Sequence, residues 1–239
     1  MDVIHVSGQW DIKMEVKLKT ITPDAEVNIV EIARVSSTRT DKSEKPEGLI
    51  NYLIKHKHWS PFEHSHMTVE IVTSRGIGTQ LLRHRSFTFQ EFSQRYAEVT
   101  EIEPIELRKQ ADKNRQSSEE VFDPIIPGMD GKGYLASEVI GYLTDGVMEI
   151  YNQLIDAGVA KECARFILPL ATQTTIYMTG SIRSWVHFLQ IRDDVHTQKE
   201  TILIAKEIKK IFIEQLPIIS KALGYDSNDS SNSTVYNNK

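Results

Sequence analysis

The residues best suited to chemistry crowd into one stretch, Gln80-Leu81-Leu82-Arg83-His84-Arg85-Ser86-Phe87-Thr88-Phe89-Gln90-Glu91-Phe92-Ser93-Gln94-Arg95-Tyr96. Arginine carries a planar fork of donors that meets phosphate oxygens two at a time. If Arg83 and Arg85 stand at a helix end, they do not share a face, so they address different groups: two phosphates, or two ligands. Gln90, Glu91, Ser93, Gln94 and Arg95 follow, all able to hydrogen-bond a polar ring or a sugar. The same run also reads as a solvated basic helix followed by a turn, because charge runs usually face water. Phe87, Phe89 and Phe92 weigh against that reading, since they point to a partly buried segment.

Other residues offer rival chemistry. His56, His58, His64 and His66 form two His-x-His pairs; on a strand each pair points to one face and can bind zinc, with Glu63 and Glu70 to complete a site. The plain alternative is four unligated histidines. Ser93 invites reading as a nucleophile, but the sequence supplies it with no base, and between Glu91 and Arg95 it reads as a ligand contact. Cys163 is the lone cysteine, which leaves no disulfide within the chain and no cysteine-rich zinc site. A lone buried cysteine is more often packing.

These residues need elements to hold them. Val3 to Leu18 alternates roughly and predicts one or two strands. Asp24 to Ser36 reads as a short helix with Thr22 or Asp24 near its cap, and Gly48 to Lys57 as another, stopped at Trp59-Ser60-Pro61. Thr38 to Gly48 reads as a polar loop. Met67, Val69 and Ile71 alternate with polar residues as a half-buried strand does. Gly76 and Gly78 are expected to break it, with a helix from Thr79 to Arg85. Lys109 to Lys132 reads as a polar surface excursion. Val139, Leu143, Val147, Ile150 and Leu154 predict a long amphipathic helix ending at Gly158. Lys161 to Leu168 predicts a short helix closed by Pro169, and Thr172 to Thr179 a strand. Ser181 is expected to cap a helix through Ile191. Ile204, Ile208, Ile211, Phe212 and Leu216 mark a last amphipathic helix. The tail from Asp226 is polar and expected to be disordered, which leaves 1–225 as a single domain.

Composition bounds the reading. With 239 residues, 40% hydrophobic and 26% charged, the chain can bury an ordinary core. A net charge of -5 argues against bulk nucleic-acid binding. Yet four arginines face one acid between Arg75 and Arg95, which suits a small anionic ligand. The first ten residues lack the apolar run of a signal peptide, and no stretch approaches the roughly 20 apolar residues of a membrane span. The expectation is a soluble cytoplasmic protein.

Arg83-His84-Arg85, seven residues, then Ser93, with Arg95-Tyr96 beyond, resembles the signature of flavin-dependent thymidylate synthases. Four further segments resemble that family in the right order: Ala33-Arg34-Val35-Ser36, then His56 to His64, Gly158 to Leu170 around Ala164-Arg165, and Ser181 to Arg192 followed by Asp194, His196 and Gln198. The resemblance covers roughly residues 30 to 215, except the variable loop. Thr88, Gln90, Ser181 and His187 depart from the family's common residues but keep hydrogen-bonding capacity.

The resemblance implies an α/β (α+β) fold, an antiparallel sheet flanked by helices. It implies methylation of dUMP with methylenetetrahydrofolate as carbon donor, FAD as hydride carrier and NADPH as reductant. For dUMP it points to Gln80, Leu81, Leu82, Arg83, Glu91, Phe92, Ser93, Gln94, Arg95, Arg165 and Arg192. For FAD it points to Ser60, Arg83, His84, Arg85, Glu91, Ser181, Ile182, Arg183 and His187, with His58 and Glu63 as neighbours. No Gly-x-Gly-x-x-Gly fingerprint is present, so arginines and helix ends must meet the flavin phosphates. Arg192 is the expected catalytic residue, stabilising the uracil ring anion; a salt bridge to Asp193 or Asp194 is the alternative. No metal is expected. The resemblance also implies a homotetramer, with Arg83 and Arg192 of one site drawn from different chains. A non-catalytic nucleotide binder using the arginines alone would not need the segment from Arg183 to Arg192.

Overall fold

The computed structural model describes residues 14–36, 45–114, 117–194 and 196–225. Strand β1 is Glu15–Ile21 and helix α1 is Ala25–Ala33, continued by a 3-10 turn at Arg34–Ser36. Asp24 enters α1 in the left-handed region at φ 47° and its side chain does not cap the helix. Thr22 is engaged elsewhere: its hydroxyl accepts from the His66 N–H at 2.9 Å. Asp24 thus stands at the cap position, as expected, but caps through no side-chain bond. Helix α2, Pro46–Lys55, carries proline in its first turn, where the missing N–H has no intrahelical partner to lose. A 3-10 turn at Ser60–His64 leads to strand β2, His66–Ser74, which alternates buried and half-exposed residues. Helix α3 is Arg75–Leu81, and strand β3 is Phe87–Glu91. Two short antiparallel pairs follow: β4, Arg108–Gln110, with β5, Ser118–Val121; and β6, Ile125–Pro127, with β7, Gly133–Leu135. Then come α4, Ala136–Asp156; α5, Lys161–Ala164; β8, Gln173–Ser181; α6, Ile182–Arg192; α7, Lys199–Gln215; and α8, Pro217–Ala222.

The main sheet has the order β1-β2-β8-β3. Ile182 donates its N–H to Ser65 O, the Thr68 and Thr179 hydroxyls meet at 2.9 Å, and the Arg75 N–H donates to Thr172 O. Numbers rise along β2 as they fall along β8, so the pair is antiparallel. The Phe92 N–H to Thr175 O bond and the approach of Phe87 to Gly180 give β3 the same sense against β8. The fold is an α+β fold with an antiparallel sheet and flanking helices.

The chain divides into two compact units. One contains Val72–Arg83 and Gln90–Ile176; the other contains Val16–Ile71, His84–Phe89 and the chain from Tyr177. In the first, Val99, Tyr151 and Ala164 form a core under Phe92, Met148, Leu154, Ile155, Val159 and Leu168. In the second, Phe62, Trp185, Phe188 and Phe212 are fully buried, and Trp185 donates its indole N–H to Met67 O at 2.9 Å. The Glu26 carboxylate accepts from the Ile219 N–H at 2.7 Å and so caps α8.

Several expectations are corrected. Gly76 and Gly78 lie inside α3, which begins at Arg75 and stops at Leu81. The glycines are there for approach: a Cβ on Gly78 would sit 3.0 Å from the Ile176 side chain. The basic run after α3 is therefore a turn leading into a strand. The excursion from Lys109 to Lys132 carries strands of two short antiparallel pairs, β4-β5 and β6-β7. The last helix is two, because Pro217 forces Leu216 out of the helical region (φ -134°, ψ 61°). Cys163 is exposed rather than packed. The α4 stripe forms as a helix, yet Leu143 and Ile150 stay 62% and 52% exposed, and among its central residues Tyr151 is the buried one. Residues 3–13 of the expected first strands, 37–44 of the loop and the tail from 226 lie outside the described residues. Among the described residues, no helix is long and apolar enough to cross a membrane.

Candidate active site

The second unit gathers most of the residues implied for flavin. Strand β8 ends at Ser181, which caps α6: its Oγ accepts from the Ser184 N–H at 3.2 Å, as its sequence position predicts. The same Oγ donates to Glu63 Oε2 at 2.6 Å, and Arg183 donates to Glu63 Oε1 at 2.7 Å. Burial alone would raise the Glu63 carboxyl pKa, but the bonds from Ser181 and Arg183 outweigh it and hold the group below its ordinary value. Arg183 and Trp59 border two cavities. One, about 420 Å³, is lined by Trp59, Glu63, Ser86, Arg183, Ser184, His187 and Gln190. The other, about 440 Å³, is lined by Lys57, His58, Trp59, Ser60 and Arg183. Ser60 borders one of these cavities and His187 the other, each with Arg183. Ile182 is fully buried, so its side chain offers no ligand contact; its main chain bonds Ser65 O.

At the other end of α6, Arg192 Nε donates to His84 Nε2 at 2.8 Å. Arginine only donates, so His84 must present a lone pair at Nε2 and is neutral. Its ring lies edge-on to Phe188, with centroids 5.0 Å apart. Burial first, and then the charges of Arg192 and His187, push the His84 imidazole down to about 4. Asp193, one alternative partner for Arg192, is held by Lys209 at 2.9 Å. Arg85 is exposed and makes no hydrogen bond or ion pair among the described residues.

The first unit gathers the residues implied for nucleotide except Arg192, which belongs to the second. Arg83, just past α3, is exposed and likewise makes no polar contact among the described residues. Glu91 Oε1 accepts from Arg75 at 2.9 Å and from Thr174 at 3.0 Å, so half of this carboxylate is already engaged. Arg95 pairs with Glu162 at 3.1 Å and Lys161 with Glu98 at 3.2 Å. These ties join the segment after Ser93 to α5. Arg165 follows Glu162 by three residues, on the same side of the turn, with its guanidinium over the Phe166 ring at 5.6 Å. Both pairs are solvent-exposed, so a dianion can displace them at little cost. Gln94 is buried, and its Nε2 has no hydrogen-bond partner among the described residues. Ser93 is exposed, and its carbonyl accepts from the N–H groups of Tyr96 and Ala97. Phe92 packs on the Val99–Tyr151 core. Gln80 is half-buried, Leu82 exposed and Leu81 fully buried, which limits Leu81 to main-chain contacts.

The histidine pairs do not assemble. His56 and His58 stack with Tyr52, at 4.3 Å and 5.8 Å between centroids. Among the described residues no group of three or more metal-ligating side chains forms. Trp59, Ser86, Gln190 and Lys209 were not singled out from sequence. Gln190 lies three residues from His187 on one helix face, a legible signal. Lys209 is brought to Asp193 only by tertiary packing.

The family described as thymidylate synthase complementing protein matches residues 17–218. A "Probable flavin-dependent thymidylate synthase" of Paramecium bursaria Chlorella virus 1 is 48% identical over 203 residues, covering 84% of this chain and 91% of its own. A "Flavin-dependent thymidylate synthase" of Synechocystis is 44% identical over 191 residues, covering 80% and 86%. One from Dictyostelium discoideum is 32% identical over 242 residues, covering 92% and 76%. The chain belongs to the thymidylate synthase complementing protein family.

Proposed function

We propose that the protein is a flavin-dependent thymidylate synthase, converting dUMP to dTMP with methylenetetrahydrofolate as carbon donor. FAD, reduced by NADPH, supplies the hydride. The observation that carries this reading is the contact of Arg192 Nε with His84 Nε2, which sets a guanidinium beside a residue implied for flavin. The residues fit the groups they would hold. Among the described residues, Arg83 and Arg85 are exposed cations without counter-ions, suited to phosphates. Gln94 offers a buried, unpartnered donor. The cavity bordered by Trp59, Arg183 and His187 takes a flat polar ring.

Each residue then has a role. Arg83, Arg95 and Arg165 hold the dUMP phosphate dianion, with main-chain groups from Phe92 to Gln94 and from Gln80 to Leu82 beside it. Glu91 meets both ligands through its second oxygen. Ser60, His84, Arg85, Ser181, Ile182, Arg183 and His187 border the flavin. Arg192 never loses its proton, so it acts by charge. It stabilises the uracil ring as N3 ionises, which makes C5 the nucleophile toward the one-carbon unit. A single thiol without a disulfide suits the reducing cytoplasm.

The test is release of tritium from dUMP labelled at C5. It should require FAD, NADPH and the folate together, and Arg192→Ala should lower it by about a hundredfold or more with bound flavin retained. An unsubstituted protein that purifies colourless and releases no tritium sinks the reading.

We also assign the protein a homotetrameric state. Leu143 and Ile150 on α4, and Phe166 at 81% exposure, are large apolar side chains uncovered in one chain. A second copy is their natural cover. Light scattering should give four copies, and Leu143→Lys should give smaller species. Mixing Arg83→Ala and Arg192→Ala chains should restore part of the activity if the chains share sites.

A further inference from the structure

Arg192 is the last residue of α6, where a side chain ordinarily frays into solvent. Here it is tethered at Nε, the guanidinium atom nearest the chain, to His84 Nε2 at 2.8 Å. The tether itself is rigid. Phe188 lies one helical turn before Arg192 and meets the His84 ring at 5.0 Å, and Phe87 meets it near-perpendicularly at 6.2 Å. Both phenylalanines pack on Trp185, at 5.7 Å and 4.7 Å. A bond to Nε fixes the plane of a guanidinium, because Nε, Cζ and both terminal nitrogens are coplanar.

The chemical type of the partner matters as much as its place. A carboxylate at Nε would fix the plane equally well but would cancel much of the positive field. The adjacent carboxylate, Asp193, is drawn to Lys209 at 2.9 Å, and the Lys209 ammonium also lies 4.8 Å over the Tyr225 ring. A neutral imidazole positions without neutralising.

We propose that His84 is the positioning residue for Arg192: its neutral imidazole holds the guanidinium through Nε2 and adds no opposing charge at that atom. This rests on the reading of Arg192 given above, and it gives His84 a role beyond bordering the flavin. The burial and the neighbouring cations that disfavour His84 protonation keep the lone pair available. Protonated, the ring would present an N–H to an N–H and the tether would break.

The test uses two variants of the full-length protein. His84→Phe keeps a ring against Phe188 but has no acceptor. His84→Gln restores an acceptor oxygen at about the reach of Nε2. The first readout is on ligand-free protein, deuterated and labelled with ¹⁵N-arginine. The Arg192 Nε–H resonance is assigned by its loss in Arg192→Lys, and its solvent exchange is measured. Exchange should quicken about tenfold or more in His84→Phe, the scale of one lost hydrogen bond, and return toward the parent rate in His84→Gln. The second readout is turnover. In His84→Phe, assayed at saturating FAD because His84 also borders the flavin, kcat should fall about tenfold to a hundredfold and the dUMP KM should stay within about threefold; His84→Gln should recover most of kcat. Parent-like exchange in His84→Phe overturns the positioning role, as does an equal kcat in the two variants. Tritium release by the unsubstituted protein separately decides the reaction, so the two ideas fail apart.

Discussion

The Phe87 ring occupies the space a side chain on Gly180 would need: a Cβ there would lie 2.5 Å from ring carbons Cδ1 and Cε1. The backbone of β8 can therefore pass against the aromatic cluster that also seats His84. Gly180→Ala should destabilise the protein by about 1–3 kcal/mol through overpacking, read as a lower denaturant midpoint. Because Phe87 also touches His84, turnover should fall in the same variant. Parent-like stability would show that the ring moves aside freely.

Acid should weaken the fold in two separable windows. His84 falls from its ordinary 6.5 to about 4 on folding, so between those values the unfolded chain binds more protons than the native one. Stability contributed by the neutral ring is complete above 6.5 and is lost as pH falls toward 4. Glu63, held below its ordinary 4.5, adds a loss of the same sign only below that value. Urea midpoints from pH 8 downward should therefore begin to drop near 6.5. The slope above 4.5 should flatten in His84→Gln; an unchanged slope assigns it to other groups.

Arg83→Lys keeps a charge but loses the two-pronged donor fork. We expect dUMP to bind about tenfold more weakly by calorimetry, with thermal stability unchanged because the side chain is exposed. Equal affinity would remove Arg83 from the phosphate site.

Cysteine-dependent thymidylate synthases attack the uracil ring with a thiolate, and Cys163 is the one thiol here. It is exposed, so replacing it disturbs no packing. Cys163→Ser should retain turnover and change stability by no more than about 0.5 kcal/mol. Complete inactivity with normal flavin content would make the thiol essential.

The legible parts of this fold were those where periodicity or caps act locally. Strands β2 and β8, the Ser181 cap and the length of α4 all follow from patterns within one element. Gly76 and Gly78 misled because a glycine pair reads as a break, whereas here Gly78 allows α3 close to Thr174 and Ile176, and Gly76 faces Leu170, residues remote in sequence. The α4 stripe was a sound sign of a helix, but amphipathicity does not say which chain covers it. The candidate site was legible as a set of residues. Its internal logic was not, because Arg192 and His84 lie 108 positions apart, and the capture of Asp193 by Lys209 depends on how α7 returns.

The close seat of α3 carries one more consequence. With Gly78 leaving only van der Waals room to β8, the helix that carries Gln80 and Leu81 has almost no slack. A nucleotide meeting this edge finds the backbone already in place, so little ordering entropy is spent on that segment. Association there should be a single fast phase, without the lag of a segment that must first organise itself.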